Sequence, residues 1–366
     1  MRAECASVIV PFIPVLSYNN VTVNIQTNIA LSSLTTMRLG GNASYVADVT
    51  SANEVRQVYL NAKNIGQPIY VVGGGSNLIA HDDGFAGVIL HNKIPSITVV
   101  SDDSMGTTIK AGAGELWDKL VMFAVEKNLS GIEAMSGIPG SVGAAPVQNI
   151  GAYGQELADT FVSLEAYDTA TDTFVLLTGE DCGFSYRHSV FRGDASGRYI
   201  ITYITLRLLK KSLEPPFYGS LQQYFDDAGV TLYSASIIRD AVLAIRSNKL
   251  PDPAKLPNAG SFFKNPIVES WQSDPIVAEY HQDVPVYAMD EKHVKIPAGW
   301  LIEQCELKGQ ILHGMKVHDD NAVVLINESA TSYQDLADAR QEIISAVRDK
   351  FRITLEQEPL ELSSPL

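Results

Sequence analysis

Two glycine-rich segments, residues 73–77 and 137–154, limit the possible folds more than any other feature of this sequence. The first segment consists of Gly73, Gly74, Gly75, Ser76 and Asn77. It directly follows an apolar run at 68–72 that is typical of a short buried strand. Because glycine permits positive φ and close approach to the backbone, amides of such a loop could hold a pyrophosphate. A plain tight turn is the alternative. Neither the helix start of a Rossmann motif nor the Gly-Lys-Ser/Thr of a P-loop follows.

The second glycine-rich segment strengthens the case for a ligand. Residues 137–146 are mostly glycine, proline, alanine and other small residues, and they run into the motif Gln-Asn-Ile-Gly-Ala-Tyr-Gly at 148–154. So many small residues together are typical of backbone that lies flat against a large planar ligand. An ordinary pair of turns remains the alternative.

The remaining pattern predicts an α+β protein. Helices are predicted from Ser51 onward and at 115–127, 234–247 and 332–350. Strands are predicted at 68–72, 87–90, 96–100, 107–111, 161–167, 173–177, 199–209, 259–265 and 322–327. Residues 27–43 read as turn-rich. Pro215 and Pro216 indicate a domain boundary.

Charge and cysteine content exclude several classes of protein. The 366 residues carry a formal net charge of −15, so binding of nucleic acid or an anionic membrane is not expected. An anionic ligand would need local basic residues and backbone amides. No apolar run approaches the roughly 18–20 residues that span a bilayer, and 1–26 is read as an N-terminal extension. Three cysteines without metal-ligand spacing predict no metal site and suit a reducing cytoplasm.

Three candidate sites remain ambiguous from their residues alone. Arg187 could bind a carboxylate through its guanidinium fork, or it could be a surface arginine. Ser261 has no evident partner that would activate it as a nucleophile, so a functional role would be proton transfer. The alternative is a serine in an ordinary turn. Arg246 and Lys249 could hold phosphates or only favour the end of a helix.

Taken together, the segments resemble the UDP-N-acetylenolpyruvoylglucosamine reductase family over about residues 27–360. The resemblance depends on the order and spacing of the motifs. These are Arg38-Leu39-Gly40-Gly41, residues 73–77, residues 146–154, Tyr186 to Phe191, Lys249 to Pro253, Gly260 to Pro266, Ala298 to Ile302, and Glu358.

The resemblance implies a domain arrangement and two cofactors. After the extension come two α+β subdomains, 27–93 and 94–215, of an FAD-binding region of the vanillyl-alcohol-oxidase type. An α+β substrate-binding domain follows at 216–366, with its C-terminal segment returning to the active site. FAD and NADPH are the implied cofactors, a nucleotide-sugar is the implied substrate, and we expect a cytoplasmic monomer.

The resemblance also assigns site residues. Arg187, Ser261 and Glu358 are the implied catalytic residues. The implied FAD contacts are Gly73, Gly74, Gly75, Ser76, Asn77, Gly137, Gly143, Gln148, Asn149, Ile150, Gly151, Ala152, Tyr153 and Gly154. The implied substrate contacts are Tyr218 (the substrate-loop tyrosine of one subfamily), Arg246, Lys249, Asn265 and Lys295.

The implied reaction passes a hydride from NADPH through the flavin to carbon-3 of an enolpyruvyl ether. Because an enol ether resists hydride attack, Arg187 should stabilise negative charge on the substrate carboxylate, and Glu358 helps only when protonated. Ser261 should protonate carbon-2. Two other functions remain open: an oxidase or dehydrogenase with the same flavin fold, and a nucleotide-sugar-binding protein without catalysis.

Overall fold

The computed structural model describes residues 17–18, 21–211, 213–281 and 284–364. The α-helices of these residues are α1 (Ala52–Asn64), α2 (Trp117–Glu126), α3 (Gly179–Cys182), α4 (Gly219–Ala228), α5 (Ala235–Lys249), α6 (Ser270–Tyr280), α7 (Ala298–Gln304) and α8 (Tyr333–Phe351). Short 3₁₀ helices lie at Leu31–Ser33, Glu133–Met135, Val142–Gln148 and Leu157–Asp159.

The strands of the described residues fall into seven sheets of two to five strands. In the first part of the chain they are β1 (Ser17–Tyr18), β2 (Val21–Thr22), β3 (Asn24–Ala30), β4 (Asn42–Val49), β5 (Ile69–Val72), β6 (Leu78–Ala80), β7 (Phe85–Asn92), β8 (Ile97–Asp102) and β9 (Gly106–Gly112). Next come β10 (Gly151–Ala152), β11 (Gln155–Glu156), β12 (Phe161–Asp168), β13 (Thr173–Thr178) and β14 (Tyr199–Leu209). The last are β15 (Asn258–Ser261), β16 (Ile267–Glu269), β17 (Tyr287–Ala288), β18 (His293–Lys295), β19 (Ile311–Leu312), β20 (Met315–Val317), β21 (Val324–Asn327) and β22 (Leu360–Leu362).

The first large sheet has the order β3-β4-β7-β5, with β7 parallel to both β4 and β5. Helix α1 connects β4 to β5. The helix begins where Ser51 accepts a hydrogen bond from the backbone of Glu54, and it buries Val55, Val58 and Ala62 on one face. The first glycine-rich loop therefore starts at the carboxyl end of a parallel strand, where ligands of such sheets commonly bind.

The second large sheet is antiparallel throughout, in the order β13-β12-β14-β9-β8. Its central strand, β14, alternates buried and partly buried residues over much of its length because successive side chains point to opposite faces of the sheet. Helix α2 packs Trp117, Leu120 and Val121 into the same core. The second glycine-rich segment continues from this core towards the first sheet.

The C-terminal part contains the sheet β15-β21-β20-β19 and the helix α8. Ser332 and Asp335 form a capping box at the start of α8, and Leu336, Ala339, Ile343 and Val347 are fully buried along one face. Their core also takes in Met37, Leu39 and Ile79 from the N-terminal part. The N-terminal and C-terminal parts therefore share one apolar core.

The last described segment of the chain returns to the first part. Strand β22 pairs in parallel with β6, and Leu362 is fully buried there. Just before it, the backbone amide of Glu358 donates to the carbonyl of Phe262 at 2.9 Å, and that of Leu360 donates to the carbonyl of Asn77 at 3.0 Å. This segment thus connects the glycine loop to the neighbourhood of Ser261.

The predicted α+β class is confirmed, and so are the helices begun at Ser51 and Ser332. The expectation of a turn-rich stretch at 27–43 is wrong at both ends, because β3 runs to Ala30 and β4 begins at Asn42. Strand β3 is mostly exposed, so its residues show no apolar period. The helices α3, α4, α6 and α7 also escaped prediction.

The proposed domain boundaries stay predictions. Most of the predicted extension, residues 1–26, lies outside the described residues. Among the described residues, no helix combines the length and apolar character needed to cross a membrane.

Replacing Leu362 with alanine should lower the free energy of unfolding by about 2–5 kcal/mol, because it leaves a cavity in a buried apolar cluster. Urea denaturation measures this loss. Leu232→Ala is the matched control, since Leu232 is 79% exposed; its effect should stay within about 0.5 kcal/mol. If Leu362→Ala lowers the free energy of unfolding no more than Leu232→Ala does, the β22–β6 contact adds little stability.

Candidate active site

The glycine-rich segments form much of the wall of a cavity of about 660 Å³. This volume is within the roughly 300–1,000 Å³ typical of small-molecule and cofactor sites. The implied FAD contacts that line it are Gly73, Gly74, Gly75, Ser76, Asn77, Gly143, Gln148, Ile150, Gly151 and Ala152. We call it the large cavity.

Close packing explains why the first loop needs its glycines. A Cβ on Gly73 would lie 2.1 Å from the hydroxyl oxygen of Ser141, and one on Gly74 would lie 2.9 Å from Cα of Gly140. Gly75 has φ +62°, and its Cβ would lie 1.8 Å from the carbonyl oxygen of Leu34. The two glycine-rich segments therefore touch each other, and both present backbone to the large cavity.

A second cavity of about 320 Å³, the small cavity, lies beside the C-terminal core. Its wall includes Asn265, Glu303, Asp320 and Asn321. Three residues line both cavities: Arg187, Ser261 and Glu358. The structure therefore brings the three implied catalytic residues together where the cavities meet, although they are up to 171 positions apart in the sequence.

Arg187 is held at this junction with part of its hydrogen-bonding capacity unused. It has φ +53°, and its Nη2 donates to the carbonyl of Gly151 at 2.9 Å. Its Nε lies 3.3 Å from Oε1 of Glu358, but within the described residues this buried nitrogen has no partner in hydrogen-bond geometry. Because a buried unpaired donor is costly, an anionic group at this point would be stabilised.

Glu358 lies at the same junction, with only 12% of its side chain exposed. Burial raises the pKa of its carboxyl above the usual range, although the charges of Arg187, Arg192 and Lys264 act in the opposite direction. The neutral acid is therefore favoured over a wider pH range than for an exposed glutamate, and it can donate a proton in a hydrogen bond.

Ser261 ends strand β15 and is fixed by its neighbours. Phe262 and Phe263 are buried anchors directly after it, and the amide of Phe262 donates to the carbonyl of Val323 at 2.8 Å. The Phe-Phe pair that the sequence showed thus serves to hold the serine at the cavity wall.

Gln148 connects the glycine loop to Glu358. Its Oε1 accepts from Nδ2 of Asn77 at 2.6 Å and from Nη1 of Arg192 at 3.0 Å. Its Nε2 then faces Oε1 of Glu358 at 3.3 Å. Sequence reasoning missed Arg192, and its place next to the motif Tyr186 to Phe191 was the available signal.

Two of the implied substrate contacts lie in the cavity walls. Arg246 lines the large cavity, donates to the carbonyl of Gly137 at 3.0 Å, and has a pKa lowered mainly by burial. Asn265 lines the small cavity, and its Oδ1 accepts from the amide of Ala298 at 2.9 Å.

The other implied site residues lie outside both walls. They are Gly137, Asn149, Tyr153, Gly154, Tyr218, Lys249 and Lys295. Asn149 is fully buried and bonds to Ser185 and Ala158, which is a structural role. Tyr218 is 51% exposed and packs edge-on against Tyr153. The binding roles of these seven residues stay predictions.

Lys249 is exposed, whereas Lys295 is partly buried. Lys249 is the last residue of helix α5. Lys295 ends strand β18, and its Nζ lies 5.0 Å from the ring centroid of Tyr186, which itself lines the small cavity. Lys295 thus comes near the site through an aromatic contact.

The residues fit a bound FAD. The large cavity has a suitable volume, residues 73–77 line it, and the Nε of Arg187 on its wall has no hydrogen-bond partner among the described residues. Backbone amides of such a glycine-rich loop suit a pyrophosphate.

Comparisons with known proteins agree. A family of FAD binding domains matches residues 43–177, and the C-terminal domain of UDP-N-acetylenolpyruvoylglucosamine reductase matches residues 252–361. The UDP-N-acetylenolpyruvoylglucosamine reductase of Ralstonia nicotianae is 39% identical over 89% of this chain and 95% of its own length. That of Dechloromonas aromatica is 37% identical over 92% and 99%.

The crystal structure of UDP-N-acetylenolpyruvylglucosamine reductase from Thermus caldophilus has the same fold, with a TM-score of 0.63 and 23% identity, over 93% of this chain and all of that one. Fold and site define an FAD-dependent oxidoreductase. The chain belongs to the UDP-N-acetylenolpyruvoylglucosamine reductase family.

Replacing Gly75 with alanine should destabilise the protein and lower its FAD content, because the new Cβ would meet the backbone of Leu34. Gly66→Ala is the matched control: Gly66 has φ +68° and nothing within 4 Å of an added Cβ. Both variants should lose about 1 kcal/mol to the positive φ, and Gly75→Ala should lose more. The measurements are urea denaturation and flavin absorbance relative to protein. Equal behaviour of the two variants would refute the packing argument.

Proposed function

We propose that this protein uses NADPH and FAD to reduce UDP-N-acetylglucosamine enolpyruvate to UDP-N-acetylmuramate. The observation that carries the proposal is that Arg187, Ser261 and Glu358 line both cavities. A flavin in the large cavity and an enolpyruvyl group at the junction would then meet beside a cation, a hydroxyl and a neutral acid.

FAD would be held by residues 73–77, Gly143, Gln148 and Gly151, all of which line the large cavity. When bound, it supplies hydride transfer, taking a hydride from NADPH and passing it to carbon-3 of the enolpyruvyl group. The chain itself then has to bind, orient and protonate the substrate.

Arg187 would bind the substrate carboxylate. An enol ether is electron-rich, so negative charge that develops on hydride addition must be stabilised by the carboxylate and its partners. The Nε of Arg187, which has no hydrogen-bond partner in the part of the chain that the structure describes, offers a donor for this purpose without breaking the bond of Nη2 to Gly151. Glu358, as the neutral acid, would hydrogen-bond the same group rather than repel it.

Ser261 would donate its hydroxyl proton to carbon-2, which gives the lactyl ether. A serine hydroxyl is a weak acid, so the reaction needs a strongly basic carbon at the moment of transfer.

The nucleotide-sugar would be bound by Tyr218, Arg246, Lys249, Asn265 and Lys295. Three of these are cations in a chain with a net charge of −15, and a diphosphate requires such local positive charge. We further propose that the protein acts as a cytoplasmic monomer in peptidoglycan precursor synthesis.

The purified protein should be yellow, and NADPH should bleach its flavin absorbance. Anaerobic addition of UDP-N-acetylglucosamine enolpyruvate should restore the absorbance, because the substrate accepts the hydride. Stopped-flow absorbance follows both steps. A colourless protein that cannot bind FAD, or a bleached flavin that only oxygen reoxidises, would contradict the proposal and favour a binding protein or an oxidase, respectively.

Replacing Ser261 with alanine should leave flavin reduction by NADPH within about twofold and slow reoxidation by the substrate about 100- to 10,000-fold, because carbon-2 loses its proton donor. Single-turnover absorbance measures each step. Ser345→Ala, on helix α8 and outside both cavities, is the control and should behave as wild type. Fast reoxidation in Ser261→Ala would exclude the acid role of Ser261.

A further inference from the structure

Arg192 is not among the residues that line the two cavities. Its two terminal nitrogens nevertheless bond to two parts of the catalytic machinery. Nη1 donates to the side-chain oxygen of Gln148 at 3.0 Å, and Nη2 donates to the backbone carbonyl of Glu358 at 2.7 Å. One guanidinium thus connects the second glycine-rich segment to the C-terminal segment.

The bond to Gln148 decides which way its amide points. Because Asn77 and Arg192 both donate to Oε1, that atom must be the carbonyl oxygen, and the NH₂ group is left to face Glu358 at 3.3 Å. Without Arg192, Gln148 could turn its oxygen towards the carboxyl, which would repel an ionised Glu358 and accept a bond from a protonated one.

The bond to the carbonyl of Glu358 acts on the backbone. On the other side of the same residue, its amide donates to the carbonyl of Phe262. Both backbone polar groups of Glu358 are therefore hydrogen-bonded. The guanidinium of Arg192 can bond to this carbonyl and to Gln148 at the same time because its fork is rigid and planar.

We propose that Arg192 is a positioning residue of the reaction, which orients Gln148 and fixes the backbone of Glu358 so that the acid lies at the junction of the two cavities. This inference rests on the proposed function. It predicts a defect in the step that uses Glu358 and none in the reduction of the flavin.

The charge of Arg192 adds a pH signature. The charged or titratable groups that act on Glu358 are Arg187, Arg192, Lys264 and Tyr186, and the first three lower the pKa that burial raises. If substrate reduction needs the neutral acid, its rate falls as pH rises through the pKa of Glu358. Removing the charge of Arg192 should raise that pKa further. The fall in rate at high pH, which we call the alkaline limb of the pH–rate profile, should therefore move to higher pH.

The experiment compares Arg192→Met and Arg192→Lys with wild type. Arg192→Met should lower the rate of flavin reoxidation by UDP-N-acetylglucosamine enolpyruvate about 10- to 100-fold, with KM changed less than about threefold, because Glu358 is misplaced while binding groups remain. Flavin reduction by NADPH should stay within about twofold. Arg192→Lys keeps the charge but not the fork, so its alkaline limb should match wild type while its rate stays reduced.

A readout independent of turnover is backbone hydrogen exchange of the purified holoenzyme. Loss of the Arg192 contact should reduce protection of the amides of Glu358 and Leu360, and Arg192→Met should show this more than Arg192→Lys. Arg207→Met is the control, because Arg207 also bonds through its guanidinium, but to Asp103 and Thr108 and not to Gln148 or Glu358. It should leave both the alkaline limb and this protection unchanged.

The outcomes separate the two proposals. If wild-type flavin is not reoxidised by the substrate, the proposed function fails. If wild type reacts and Arg192→Met matches it in rate and pH profile, or is slowed equally in both half-reactions, the role of Arg192 alone is overturned. If Arg192→Met does not fold, Arg192→Lys decides the question. A wild-type rate of reoxidation together with wild-type hydrogen exchange in Arg192→Lys would also overturn the role of Arg192.

Discussion

The site depends on the pairing of the C-terminal segment with two distant parts of the chain. The amides of Glu358 and Leu360 bond to the carbonyls of Phe262 and Asn77, which places one carboxyl between the glycine loop and Ser261. Because both bonds are made by the main chain, the position of Glu358 is set by backbone geometry. The large and small cavities meet there as a result.

Electrostatics then determine what the junction can do. The chain as a whole is acidic, yet Arg187, Arg192 and Lys264 all act on the buried carboxyl of Glu358. Burial still dominates and raises its pKa, so a neutral acid can lie near a guanidinium whose Nε has no partner among the described residues. This combination suits an anionic, electron-rich substrate, since a cation and a neutral donor both stabilise added negative charge.

Local signals in the sequence were sufficient where a single element decides the outcome. The capped helices at Ser51 and Ser332 and the long strand β14 follow from residue spacing and capping. Strand β3 did not, because an exposed strand has no apolar alternation to detect. Arg192 escaped for another reason: its place next to the motif Tyr186 to Phe191 does not reveal that its guanidinium reaches Gln148 and Glu358.

The sequence by itself determined the α+β class, the two glycine-rich segments and, through its motifs, the family and the identity of the candidate catalytic residues. Only the tertiary structure decided that the glycines are needed for backbone-to-backbone packing, and that Arg187, Ser261 and Glu358 share two cavity walls. The physical reason is that helix and turn signals are local, whereas burial, pKa and hydrogen-bond partners depend on residues brought together from across the whole chain.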